Sequence, residues 1–283
     1  MPTRTSLPKH PSEIFGFPVE DRSVDAQAAR SRRWCPFMDK RCDKKSRLIS
    51  YPFGVCSAQW SNEIIALCPH RFLQKEIVFK DVADHHFGAR HDLLVFPEVG
   101  LSSVGSFDYV IVKHKSLSSD VEDFVVVEFQ TGQTTSTGKL VQAMKDFMHG
   151  QDVRGRSYKF GLNQYDIWKR TFTQVLNKGM VLEKWGQKIF WVVQEPIYQY
   201  FTNRYGLGKL GYSANDCTSF VVYDMPRIGS EYQLSKTRIE SADVDGLLRA
   251  FREAGRVPKK DAFLNVLRRK MRARVYLDLD LAK

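Results

Sequence analysis

An acidic pair set in two apolar runs is the part of this chain best suited to chemistry. Asp108 opens the run Phe107-Asp108-Tyr109-Val110-Ile111-Val112, and after a polar loop comes Val125-Val126-Val127-Glu128-Phe129-Gln130. Strand side chains alternate between faces, so Glu128 and Gln130 share one face while Val125, Val127 and Phe129 take the other. Asp108, at the start of the neighbouring strand, reaches the polar face. Two carboxylates converging from adjacent strands suit a hard divalent cation. Mg2+ is usually held by one or two carboxylates, with water and phosphate completing its shell. Phosphodiester hydrolysis needs such an ion for the charge of its transition state, together with a water placed in line.

Asp108 and Glu128 are therefore the expected Mg2+ ligands. Gln130 is a candidate hydrogen-bond partner for the attacking water or a phosphate oxygen. Being neutral, it cannot lower that water's pKa as a lysine would, which leaves more of the activation to the metal. Glu98, after Pro97, is a candidate outer or second-metal carboxylate, and Lys113 and Lys139 are close enough in sequence to touch the scissile phosphate. A strand as apolar as 124–129 is usually buried on both faces, where a glutamate needs a partner or a metal.

A second constellation lies upstream. Cys35, Cys42, Cys56 and Cys68 are spaced C-x6-C-x13-C-x11-C. A cytosolic chain does not keep such residues as disulfides, so four clustered thiols suggest a tetrahedral thiolate site, for which Zn2+ and iron are equally suited. His70 is a conceivable substitute ligand, and Cys217 stands apart as a buried free thiol. A bound metal would pin this segment and hold Arg32, Arg33, Lys40, Arg41, Lys44, Lys45 and Arg47 on a fixed frame for contact with DNA.

Charge supports a nucleic-acid partner. Lys and Arg number 43 against 32 Asp and Glu, a net +11. Residues 30–47 hold eight basic and two acidic side chains and residues 249–274 hold ten and two, so these windows contain the whole excess. Concentrated positive charge is the footprint of a phosphate binder. The apolar fraction of 43% is that of an ordinary globular protein, and no apolar stretch approaches the roughly 20 residues that span a bilayer. Residues 1–33 lack the apolar core of a secretory signal, and the expected compartment is the cytoplasm.

Residues 1–33 are a Pro-, Ser- and charge-rich arm, 34–75 a loop-rich four-cysteine module, and 76–283 an α/β core ending in a basic helix. Runs 107–113 and 124–130 form a hairpin. A helix follows, capped by Thr137, with Leu140, Ala143, Met144 and Phe147 inside. A second helix is expected over 163–178, burying Tyr165, Trp168, Phe172, Val175 and Leu176 and stopping at Gly179. Residues 189–194 and 219–223 are buried strands. Leu247, Leu248 and Phe251 mark a helix begun near Ser241. Phe263, Val266, Leu267 and Met271 mark the last helix, with this stripe packed on the core. The sum is a mixed sheet flanked by helices.

Taken together, Trp34-Cys35-Pro36-Phe37 with Cys42, Cys56 and Cys68-Pro69, then Phe107-Asp108 and Val127-Glu128-Phe129-Gln130, resemble the NotI-type family of type II restriction endonucleases, a branch of the PD-(D/E)XK nucleases. The resemblance covers roughly residues 33–150. It implies a prokaryotic homodimer that cuts both strands of a GC-rich palindrome with Mg2+, and a structural iron on the four cysteine sulfurs. Asp108 and Glu128 match the acidic pair, Gln130 the position where most of the superfamily has Lys, and Glu98 an upstream acid. Phe107 stands where the superfamily motif has Pro.

Two rivals remain at this level. Asp84-His85-His86 beside four cysteines suggests an HNH nuclease, although the downstream Asn and His are missing. The other is a non-catalytic, metal-stapled DNA-binding protein, or a repair nuclease.

Overall fold

The computed structural model describes residues 8–116, 118–207, 210–253 and 259–272. Early in the chain, β1 (Lys9–Ile14), β2 (Phe17–Pro18), β3 (Val55–Trp60) and β4 (Glu63–Ala66) form an antiparallel sheet in the order β2-β1-β3-β4. Helix α1 (Val24–Arg32) follows β2, capped by the Ser23 side chain. Between α1 and β3 the cysteine segment makes only a two-residue pairing of Trp34–Cys35 with Lys40–Arg41.

The central sheet has six strands: β5 (Leu93–Leu101), β6 (Gly105–His114), β7 (Val121–Gln130), β8 (Lys188–Gln194), β9 (Thr218–Asp224) and β10 (Ser235–Ala242). Their order is β10-β9-β8-β7-β6-β5. β7, β8 and β9 run parallel, whereas β5/β6, β6/β7 and β9/β10 are antiparallel. The sheet is mixed, as expected from the alternation of hairpin, helix and strand.

Helices cover both faces. On one lie α3 (Thr137–Met148), α4 (Gln164–Gln174) and α6 (Glu195–Tyr205), whose Met144, Phe147, Ile167, Trp168 and Phe201 pack with Val126, Trp191 and Val193. On the other, Val78 and Val82 of α2 (Ile77–His86) and nearby Phe72 meet Ile111, Val125, Val127 and Phe129. The parallel centre is a near-continuous apolar run, as sheets covered on both sides require.

The two sheets are stitched by the Gln194 side chain and by one backbone bond. The Gln194 amide accepts from the Ala66 N–H (2.5 Å) and donates to the Ile64 carbonyl (3.0 Å), and the Gly132 N–H donates to the Ala66 carbonyl (2.8 Å). A Cβ on Gly132 would lie 2.5 Å from Ile65, so only glycine allows this approach. Below the junction, fully buried Arg71 pairs with Glu13 at 2.8 Å and donates to Gln74 and the Tyr232 carbonyl. Removing one partner of such a pair strands a buried charge.

Several expectations change. Residues 9–14, expected in a loose arm, pair with 55–60 and bury Ile14, so the first sheet straddles the boundary drawn at residue 33. Their Pro and charge content hid a strand whose partner lies over 40 residues away. The N-cap of α3 is Ser136, in a left-handed conformation without a side-chain cap, and Thr137 is the first helical residue. Gly179 does not stop its helix. A π turn (Val175–Gly179) leads into α5 (Met180–Trp185), which ends at left-handed Gly186. Gly179 packs beside Thr218 and Val244, and Tyr165, expected inside, is exposed. Ser241 belongs to β10, and α7 begins at Val244 (Val244–Glu253). In α8 (Lys260–Arg272) the apolar stripe is not packed on the core, with Phe263 61% and Met271 71% exposed. Periodicity identifies an amphipathic face but not what covers it.

Candidate active site

Asp108 and Glu128 face each other across β6 and β7. The register pairs Tyr109 with Val127, which sets the two acids side by side on the face toward α4. Each acid grips the other's strand: the Asp108 N–H donates to Glu128 Oε1 (3.3 Å), and the Phe129 N–H donates to Asp108 Oδ2 (2.8 Å). Asp108 is half-buried, whereas Glu128 is fully buried and its Oε2 has no hydrogen-bond partner. Burial, and then the charge of Asp108, push the Glu128 carboxyl up to about 7, against the opposing pull of Lys178.

Lys178 is the residue that the sequence reading missed. From the π turn its ammonium donates to Glu128 Oε1 (2.6 Å) and the Ser106 carbonyl (2.7 Å), and it lies over the Phe107 ring. A π turn inserts a residue into the helical ladder and is frequently found at functional sites. α4 also holds Gln130, which is 1% exposed. The Gln130 carbonyl accepts from Thr171 Oγ1 (2.9 Å) and its amide donates to Gln174 (3.0 Å). Gln130 thus anchors α4 to the carboxylate strand.

Of the other candidates, Glu98 has a register position next to the pair: on edge strand β5 it lies across from Asp108, between the pairs Pro97–Tyr109 and Val99–Phe107, exposed and at a left-handed φ of 52°. Its charge is felt by Tyr109, His70 and Lys40. Lys113 lies at the far end of β6, roughly 17 Å along the strand from Asp108, where it pairs with Glu122. Lys139 is exposed on the first turn of α3. Asp84 pairs with Arg90, His86 with Asp123, and His85 packs against Phe190 and Tyr212. These three sit on α2, across the sheet from Glu128, so no HNH arrangement forms among the described residues.

Comparison with protein families decides the assignment: the profile of Restriction endonuclease NotI matches residues 21–234. The chain belongs to the NotI restriction endonuclease family. The match takes in the acidic pair, Gln130, all four upstream cysteines and Lys178, well beyond the stretch that the motifs alone covered. Among curated proteins none matches. As a NotI-family restriction endonuclease the chain is a DNA hydrolase whose partner is double-stranded DNA. Among the described residues no helix is long and apolar enough to cross a membrane.

In this NotI-family chain Cys35, Cys56 and Cys68 are buried and Cys42 half-buried. Backbone bonds join them two by two: the Cys68 N–H donates to the Cys56 carbonyl (3.2 Å), while the Cys42 N–H donates to the Arg33 carbonyl (2.8 Å) beside the short strand that carries Cys35. Among the described residues, however, no group of three or more His, Cys, Asp or Glu side chains is arranged to hold a metal ion. His70 lies 3.8 Å from Asp43, and the Cys217 thiol faces Glu183.

The basic set divides. Arg32, Lys40, Arg41, Lys45 and Arg47 are exposed, although Lys40 pairs with Asp43. Arg33 stacks on Tyr51, and the Lys44 ammonium is spent on the Val55 and Leu67 carbonyls. Lys45 and Arg47 line an open groove of about 590 Å³ with Gly132, Thr134 and Thr137, just past the end of β7.

Glu128 gives the metal-free protein a pH signature. Its folded carboxyl titrates near 7, above an ordinary value of 4.5, so its contribution to stability is whole below about pH 4.5 and is lost as pH rises to about 7. The loss is at most about 3 kcal/mol. Urea unfolding in EDTA is expected to show wild type losing that much more than Glu128→Gln between pH 4.5 and 8. Parallel profiles for the two proteins would contradict the shift.

Proposed function

We propose that this chain is a Mg2+-dependent type II restriction endonuclease with a PD-(D/E)XK core, acting as a homodimer on a GC-rich palindrome in a prokaryotic cytoplasm. The observation behind this reading is the unpartnered, fully buried Oε2 of Glu128 beside Asp108. A carboxylate oxygen buried without a donor, next to a second carboxylate, fits a divalent cation, and two such ligands are what Mg2+ ordinarily takes. Asp108 and Glu128 would hold it. When bound, the ion supplies charge for the pentavalent transition state and an activated water. Glu98 remains a candidate outer acid.

The protein's own groups do the rest. Backbone N–H groups of Asp108 and Phe129 fix the two carboxylates, so neither has to reorganise as the phosphate arrives. Gln130 holds α4 against β7 and so fixes the distance between helix and carboxylates. Lys45 and Arg47 in the groove, with Arg32 and Arg41, are suited to the phosphate backbone, and contacts of that kind set register before bases are read. Twofold symmetry is the natural match to a palindrome cut on both strands. Four thiols have the donor chemistry for structural iron, or alternatively Zn2+.

Incubation of plasmid with the protein, with and without Mg2+, tests the reading. Discrete fragments with one end sequence, formed only with Mg2+, are expected. A gel shift without cutting would point to a non-catalytic binder, and a smear to a repair-type nuclease.

A further inference from the structure

The hydrolytic site has a second wall that the strand motif does not contain. Arg170, Gln174 and Lys178 stand at i, i+4 and i+8 along α4 and its π turn, while Trp168, Val175 and Leu182 go into the core. The π turn's wider bonding re-aims Lys178, which would otherwise drift off this line. Gln174 and Lys178 are engaged with Gln130 and Glu128. Arg170 differs from both. Half-buried, it makes no hydrogen bond or ion pair among the described residues, and it stands one turn before Gln174 on the side of the helix that meets β7. A guanidinium offers five donors in a planar fork matched to phosphate oxygens. One left unpartnered in line with the two residues that hold Gln130 and Glu128 is placed for an anion that arrives with the substrate.

We infer that α4 and its π turn supply the positive charge that Gln130 cannot: Arg170 grips the phosphate to be cut, and Lys178 is a positioning residue that holds Glu128. The inference rests on the hydrolytic reading of Asp108 and Glu128. It explains why Gln130 is spent on α4, because that bond places a cationic helix over the carboxylates rather than placing one cation on the strand.

The two cations leave different signatures. With a linear fragment of a plasmid that the enzyme cuts, in EDTA, Arg170→Ala is expected to weaken binding about tenfold and to reduce the salt dependence by about one ion, and Arg170→Lys to restore the slope. Lys178→Met is expected to bind DNA as wild type does, yet cut at saturating DNA about a hundredfold more slowly with Mg2+. A purely structural lysine would lower binding and cutting together. Wild-type affinity and slope in Arg170→Ala, or a joint loss in Lys178→Met, overturns the inference. If Lys178→Met does not melt cooperatively, Arg170→Ala decides alone, because no protein partner depends on it. Glu128→Gln separates the two levels. Cutting by that variant sinks the hydrolytic reading itself, whereas its inactivity beside wild-type behaviour of the α4 variants sinks only this inference.

Discussion

Glu128→Gln is expected to lower DNA cutting about a thousandfold or more while leaving binding in EDTA intact. The substitution preserves side-chain volume and keeps an oxygen for the Asp108 N–H, so the strand pairing survives. What is lost is negative charge at a fully buried position that already lacks a donor on Oε2. An amide there cannot help Asp108 neutralise a divalent ion, and stabilisation of developing charge is usually the largest single catalytic effect. Binding should hold or tighten, since one negative charge fewer faces the phosphates. Plasmid digestion alongside an EDTA gel shift checks both halves. Residual cutting within tenfold of wild type would place the chemistry elsewhere.

Cys56→Ser is expected to lower the melting temperature by about 10 °C or more and to remove one iron or zinc per chain from the purified protein. Cys56 is buried at the start of β3 in the first sheet, just after the loop that holds Arg41, Lys45 and Arg47. That loop has little regular structure, and under the proposed reading a bound metal would supply part of its folding free energy. DNA affinity should fall with it. Calorimetry and elemental analysis of wild type and variant check the expectation. A wild-type melt, with no metal in either protein, would show four cysteines serving only as small apolar residues.

How much could be read in advance follows from where the physical signal lies. The β6–β7 hairpin and the faces of Glu128 and Gln130 follow from strand alternation, which needs no tertiary information. Strands β8 and β9 announce themselves as short apolar runs buried on both sides. Edge strands β5 and β10 do not: Leu94, Val95 and Phe96 are exposed, and β10 is mostly polar. The first sheet also escaped notice, because β1 finds its partner in β3 across the cysteine segment.

The convergence of Asp108 and Glu128 was legible in the sequence, and the contact of Lys178 with Glu128 was not. Lys178 lies 50 residues beyond Glu128, in a helix expected to be apolar inside. The available signal was the polar stripe Arg170, Gln174 and Lys178 threading that apolar helix, with Gly179 mistaken for a terminator. Lys113, chosen for nearness in sequence, shows the opposite error, because a strand carries its residues away from one another at roughly 3.4 Å each.

The most direct test is anomalous diffraction from crystals of the whole chain grown with Mn2+. The account predicts a peak between Asp108 and Glu128, with an oxygen of each roughly 2.1–2.2 Å away. A map with no peak there, or with the ion elsewhere while Glu128 stays locked to Lys178, contradicts it.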